Sequence, residues 1–209
     1  MEIIEVEGHP IIPELLNETS IIFDCGACVG EFTSKLYEKY KCRFYLYEAD
    51  SRNYRRMKNR FEKYEDIYTF NKAIDKDIGI KELYLGDFIT ASSLYKSHRG
   101  LGHLMENVQT TTIDNELFNF DMIDLLKLDL EGSEIDVIPN ILPKTLKKIK
   151  QITVEFHPQS KIDGYTQEKI DICRNYLKNS FDEIMYVDKG NDGHQGLYLN
   201  KLWNQEKEA

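Results

Sequence analysis

One stretch limits the folds open to this chain more than any other: Ile21-Ile22-Phe23-Asp24-Cys25-Gly26-Ala27-Cys28-Val29-Gly30-Glu31-Phe32. An apolar run ends in an acid, a loop of small residues follows, and a helix-like pattern begins. Read as strand, tight loop and helix, it presents backbone N–H groups and a helix N-terminus at the carboxyl end of a strand. Open α/β sheets hold nucleotide-like ligands there. Gly26 is expected where the backbone turns tightly and a ligand comes close, and Gly30 where helix packs on strand.

The rest of the chain repeats that alternation. Residues 20–24, 43–48, 67–74, 122–130 and 151–156 read as strands, and residues 30–41, 52–63 and 166–179 as helices. Asp50 or Ser51 can cap the second helix. Residues 133–146 hold one or two short helices with Pro139 and Pro143 at their starts, and residues 181–187 and 196–199 close the chain as an antiparallel pair. Strands alternating with helices predict an α/β fold, a mostly parallel sheet covered on both faces. Residues 1–19 read as an arm with a short helix around 14–18, and residues 79–85 as an additional hairpin-like strand. Residues 86–107 are irregular, broken by Gly86, Ser92, Ser93, Gly100 and Gly102. So long a loop is usually a lid, a binding segment or disordered. Its His98, Arg99, His103, Ser92 and Ser93 are candidate contacts to a substrate, against the alternative of simple solvation. No linker interrupts the 209 residues, so 1–209 is expected to be one domain.

Lys plus Arg number 27 against 36 Asp plus Glu, a net charge of -9, which argues against a polyanion such as nucleic acid as a general partner. No apolar run is long enough to span a bilayer, and the acidic start lacks the features of a secretion signal, so a cytoplasmic location is expected. Four cysteines in a chain of this length are not a disulfide framework.

The glycine loop departs from the dinucleotide pattern G-x-G-x-x-G: Asp24 stands in place of the first glycine and Val29 in place of the third. An acid is unwelcome beside a pyrophosphate. It suits a ligand with a cationic end, such as the ammonium or sulfonium of S-adenosylmethionine, unless Asp24 merely caps the loop. Glu48 ends the second strand about 20 residues beyond the loop, the spacing at which an acid can accept both ribose hydroxyls. Loop and acid together point to an adenosine-containing ligand.

Further pieces carry a resemblance: Tyr47-Glu48-Ala49-Asp50-Ser51-Arg52-Asn53-Tyr54, Asn71-Lys72-Ala73-Ile74, Thr111-Thr112-Ile113-Asp114, Leu126-Lys127-Leu128-Asp129-Leu130-Glu131-Gly132-Ser133-Glu134 and Val154-Glu155-Phe156. With the glycine loop, they make the chain resemble the FkbM family of S-adenosylmethionine-dependent methyltransferases. Ala49, where the family often has proline, and Cys25 and Cys28 depart from its pattern. The resemblance implies a Rossmann-like class I methyltransferase sheet, mostly parallel and seven-stranded with an antiparallel last strand. It implies that Asp24, Gly26, Ala27 and Gly30 shape the methionine end of the cofactor site. Glu48 would take the ribose, Ala73 with its neighbours would flank the adenine, and Ala49 and Asp129 would complete the cofactor-binding set. It also implies O-methylation of a hydroxyl on a sugar, glycan or small natural product.

Lys127, Asp129 and Glu131 recur at period two, which puts them on one face of a strand or of its end. Three charges there must sit at the carboxyl edge, pair, or bind something. Methylating an alcohol needs alignment and removal of a proton. Asp129 or His157 is the expected base, and Lys127 the partner of a carboxylate. Asp129, Glu131 and Glu155 could also hold a divalent metal, Mg²⁺ favouring such oxygens. The plainer alternatives are that Glu131 and Glu134 favour a helix N-terminus and that His157 is a polar loop residue. Two rival functions stay open: thiol–disulfide exchange by Cys25 and Cys28, and a ligand-binding methyltransferase fold serving as a non-catalytic subunit.

Overall fold

The computed structural model describes residues 1–86, 92–96, 104–158, 162–190 and 193–204. The chain opens with a hairpin, β1 (Ile4–Val6) and β2 (His9–Ile11), turned through Glu7 and Gly8 at positive φ. The helix expected at 14–18 is instead a single 3-10 turn, Pro13–Leu15. Pro13 starts it, and Leu16 is already extended. β3 (Ile21–Cys25) then runs through the glycine loop into α1 (Glu31–Tyr40), followed by β4 (Arg43–Tyr47) and α2 (Ser51–Phe61). Asp50 caps α2 by accepting the N–H of Arg52.

The strand expected over 67–74 divides in two. β5 (Ile67–Phe70) stays in the main sheet, while β6 (Ala73–Ile74) joins a small second sheet with β7 (Gly79–Tyr84) and β8 (Met105–Thr111). Asn71 sits at the break, and its amide donates to the carbonyls of Glu48 and Ala49 at 2.9 Å each, drawing the chain across the end of β4. There follow α3 (Ile113–Glu116), β9 (Ile123–Leu128), α4 (Glu134–Val137), α5 (Pro143–Leu146), β10 (Ile149–Phe156), α6 (Gln167–Lys178), β11 (Phe181–Asp188) and β12 (His194–Asn200).

The main sheet has seven strands in the order β11-β12-β10-β9-β3-β4-β5. β12 runs antiparallel to both neighbours, and the other pairings are parallel, as the resemblance implied. The chain leaves β3 toward β4 and β5, then returns to β9 on the other side. That reversal opens a crevice at the carboxyl ends of β3 and β9, where such sheets bind ligands.

Alternate side chains feed two cores. Ile22, Phe44, Leu46 and Leu125 pack with Leu36, Tyr40, Met57 and Phe61 from α1 and α2. Phe23, Tyr47, Leu126 and Leu128 pack on the other face with Ile135 from α4 and Ile170, Cys173 and Leu177 from α6. Burying each such side chain contributes roughly 1.5–3 kcal/mol. The N-terminal hairpin is fastened to the sheet by the buried Gln151, which accepts the N–H of Ile12 at 2.9 Å and donates to its carbonyl at 3.2 Å. This seats His9 over the carboxyl ends of β9 and β10. Among the described residues no helix is long and apolar enough to cross a membrane.

Candidate functional site

The loop after β3 is tighter than its sequence suggests. Gly26 and Gly30 both have φ of 82°. A Cβ on Gly26 would fall on the carbonyl oxygen of Asp129, and one on Gly30 would enter the ring of Phe61. At Gly26 the backbone closes against the chain's own β9 end while the residue also lines both chambers of the crevice, and the close approach at Gly30 is to α2, not to a strand as expected. The loop's N–H groups are also engaged. Gly26 and Ala27 donate to the Tyr47 carbonyl at 2.9 and 3.0 Å, and Cys28 donates to Glu48 Oε2 at 2.8 Å.

Asp24 is fully buried. Its carboxylate accepts from the Thr33 hydroxyl at 2.8 Å and pairs with Lys127 at 3.1 Å, so it supports the loop from beneath and lines neither chamber of the crevice. Glu48 sits at the crevice floor. Its oxygens accept the N–H groups of Cys28 and Asp50, both at 2.8 Å. Burial outweighs those two bonds and pushes its carboxyl up to about 8.

The crevice has two chambers that meet at Gly26, Cys28 and Asp129. The first, about 660 Å³ counting open solvent, sets Glu48 and Asn53 against an apolar wall of Ala49, Ala73, Ile74 and Leu83, with Glu131 on its other side. The second, about 520 Å³ on the same basis, runs over the glycine loop to Glu7, His9, Glu31 and Phe32.

Between the chambers lies a charged cluster. Lys127, at the end of β9, donates to the Gly26 carbonyl at 2.9 Å and pairs with Asp24 and, at 3.3 Å, with Asp129. Asp129 faces an imidazole from each side: His9 Nε2 and His157 Nε2, both at 3.4 Å. His157 Nδ1 is held at 3.0 Å by the buried Glu134, whose oxygens also accept the N–H groups of Leu130 and Gly132. Glu131 leaves the strand's alternation through a φ of 50°, with Ser93 donating to its carbonyl at 2.6 Å. The surrounding carboxylates hold His157 well above the usual imidazole range despite its burial. Burial drives Glu131 up to about 8 and raises Glu155, while Lys127 and the two imidazoles pull Asp129 far below the carboxylate range in spite of burial.

Sequence reasoning passed over His9 and the holding role of Glu134. A lone histidine on a short arm carries no signal. Glu134 had one, its place three residues after Glu131 at a helix start. Ser92 donates to Asp50 Oδ2 at 2.7 Å and Ser93 to Glu131, so both serve the chain's own framework. His98, Arg99 and His103 lie outside the described residues. Neither thiol of the Cys-x-x-Cys pair is activated. Cys25 is buried in the core, and burial with neighbouring acids raises it well above its ordinary value, while Cys28 is pushed up to about 11.

The model of the Methyltransferase FkbM domain matches residues 24–187. No curated protein matches the chain. Among solved structures, a Methyltransferase FkbM from Methylobacillus flagellatus KT superposes with a TM-score of 0.58 at 16% identity, over 88% of this chain and 44% of that one. The present chain thus spans less than half of that protein's length. A Methanococcus jannaschii fibrillarin pre-rRNA processing protein gives 0.58 at 13% identity, over 96% of this chain and 82% of that one. An Aeropyrum pernix fibrillarin with natively bound S-adenosyl-L-methionine gives 0.51 at 10% identity, over 90% and 69%. At these identities the likeness is one of fold.

Proposed function

The chain belongs to the FkbM methyltransferase family, and from that premise we propose that it moves the methyl group of S-adenosylmethionine to a hydroxyl on a sugar, glycan or small natural product. The observation that carries the cofactor half is the first chamber. Its buried strand-end carboxylate, Glu48, faces an apolar wall that includes Ala49 and Ala73. A nucleoside needs that pairing: an acceptor for two ribose hydroxyls and a flat apolar slot for the base. Each oxygen of Glu48 already takes one N–H and keeps a second lone pair for a hydroxyl. In this reading Ala27, beside the second chamber, borders the methionine end. Gly26 and Gly30 keep the loop in shape there, and Asp24 acts through Lys127.

When bound, the cofactor supplies an electrophilic methyl on a sulfonium. The chain's residues align the acceptor and receive its proton. Asp129 lies where the chambers meet, so a hydroxyl beside the methyl also lies beside the cluster of Asp129, Glu131 and His157. The surrounding carboxylates favour the protonated form of His157, and Lys127 with the two imidazoles makes Asp129 a weak base. The proton that the hydroxyl loses would pass to this cluster, where Asp129 is ionised and Glu131 becomes so above about 8. A positioned base of this kind is worth about 10²–10⁴-fold. Lys127 positions Asp129 and Asp24.

The acids around the second chamber, Glu7, Glu31 and Asp129, favour a neutral polyol over a phosphate-bearing acceptor. The test is S-adenosylhomocysteine formation across a panel of sugars, phenols and RNA. Turnover with a hydroxyl acceptor that falls at least about 100-fold in Asp129→Asn, with cofactor affinity kept, supports the reading. Cofactor binding without turnover on any acceptor would favour a non-catalytic subunit, and turnover on RNA alone would overturn the acceptor class.

A further inference from the structure

His9 is 2% exposed, yet among the described residues its imidazole closes no hydrogen bond of ordinary length. Among the described residues its Nδ1 has no partner, and its Nε2 stands 3.4 Å from Asp129 Oδ2 and 3.9 Å from Glu155 Oε2. Across the same two carboxylates, His157 Nε2 stands 3.4 Å from Asp129 Oδ1 and 3.8 Å from Glu155 Oε1. Charge-assisted N–H···O bonds close to about 2.7–2.9 Å. Other imidazole contacts in this molecule do close, His194 Nδ1 to the Tyr186 hydroxyl at 2.6 Å and His157 Nδ1 to Glu134 at 3.0 Å. Ligands of one small cation, bound at about 2.0–2.2 Å, sit about 3–3.5 Å from one another. The 3.4 Å between His9 and Asp129 is the separation of two ligands of one cation, and Glu155, at 3.9 Å, lies a few tenths of an ångström beyond it.

We propose that His9 Nε2, Asp129 Oδ2 and Glu155 Oε2 form a binding site for one divalent transition-metal cation. The three ligand atoms lie within 4.8 Å of one another. Each comes from a separately anchored part of the fold: His9 from the N-terminal hairpin tied down through Gln151, Asp129 from just past β9, and Glu155 from β10 beside Gln195 of β12, which hydrogen-bonds to it. The site is thus preformed. Around it Asp24 and Asp129 share the Lys127 ammonium, and Glu131, Glu134 and Glu155 lie against the His157 imidazole, so among the described residues the five acids outnumber the basic groups that face them. One imidazole with two carboxylates selects Mn²⁺, Fe²⁺ or Zn²⁺ over Mg²⁺ and Ca²⁺, which prefer all-oxygen sets. His9 lies outside residues 24–187, so the family match does not assign it.

His9 and Asp129 both line the second chamber, so the cation would have an open side there. A hydroxyl bound on that side would lose its proton more readily. That role rests on the methyl-transfer reading, whereas the binding site does not. The test uses the full chain freed of metal by a chelator and titrated with Mn²⁺, following the spin-resonance signal of the free ion. About one Mn²⁺ per chain should leave the free signal, and His9→Gln or Glu155→Gln should each weaken binding by about tenfold or more. Glu31→Gln, in the same chamber, should change it by less than about twofold. On the unaltered chain, spin-echo modulation should show nitrogen coupled to the bound Mn²⁺, a readout that needs no variant to fold. No uptake at about 1 mM Mn²⁺, or bound Mn²⁺ without nitrogen coupling, overturns the site. Calorimetry with S-adenosylhomocysteine on the metal-free sample reports on the cofactor separately. Heat without Mn²⁺ uptake sinks only the cation site, and uptake without heat sinks only the methyl-transfer reading.

Discussion

Glu48 carries an opposition that can be measured. Two backbone N–H groups favour its ionised form, burial opposes it, and burial wins, placing the carboxyl near 8. A carboxyl raised from 4.5 to about 8 makes the folded chain bind more protons than the unfolded one, so its contribution to stability falls as pH rises through that window. Ribose hydroxyls donate to the carboxylate, so ligand binding should expel the proton. S-adenosylhomocysteine affinity should then rise with pH by up to about tenfold per unit below 8 and level off above it. Calorimetry in two buffers of different ionisation enthalpy reads the proton directly. Glu48→Gln should flatten the profile, and Glu48→Ala should cost about tenfold or more in affinity. A flat profile in the unaltered chain would mean that the ribose is held elsewhere. Lys127 poses the same opposition for a cation. Lys127→Met would leave the buried Asp24 without its counter-charge and Asp129 with only the two imidazoles, and denaturant titration should show a loss of about 3–5 kcal/mol.

At the scale of elements, the α1–α2 contact through Gly30 and Phe61 decides how the glycine loop is held. Gly30→Ala should destabilise the fold twice over, through its positive φ and through the clash with the Phe61 ring. In a Phe61→Leu background the steric part should vanish, and Gly30→Ala should cost only about 1 kcal/mol for the backbone strain. Full additivity of the two changes would show that the ring is not what excludes the methyl group. This contact also marks where the sequence stops being readable. That Gly30 is required follows from the loop pattern, but its partner lies 31 positions on in another helix, and spacing cannot reveal it. The strands and helices of the main sheet were legible because each carries its own period. The division of residues 67–74 was not, since the cause is Asn71 reaching back to Glu48 and Ala49. Glu48 and Asp129 could be picked out as strand-end acids. The burial of Asp24 could not, because it depends on Lys127 from a strand a hundred residues later. His9 was unreadable for the same reason: its partners belong to β9 and β10, and nothing near it in the chain hints at them.

The whole molecule sets a field as well as a shape. A net charge of -9, with Glu7, Glu31 and Asp129 along the second chamber, makes the crevice attractive to cations over distances that local contacts do not reach. S-adenosylmethionine carries one net positive charge at neutral pH, and S-adenosylhomocysteine, which lacks the sulfonium, carries none. The two share every other group, so their difference isolates the field together with the sulfonium's local contacts. Salt separates these two contributions. Screening acts on the long-range part, with a Debye length near 10 Å at about 0.1 M and near 3 Å at 1 M, and leaves short buried contacts nearly untouched. Raising salt from about 0.05 to 0.5 M should weaken S-adenosylmethionine binding by several-fold and leave S-adenosylhomocysteine within about twofold. Affinities measured side by side at fixed pH check this. If both ligands lose equally, salt is acting on a shared contact such as the ribose at Glu48. If neither loses, the preference of the crevice for a sulfonium resides in the buried cluster around Asp129 alone, and the acids of the second chamber serve the acceptor instead.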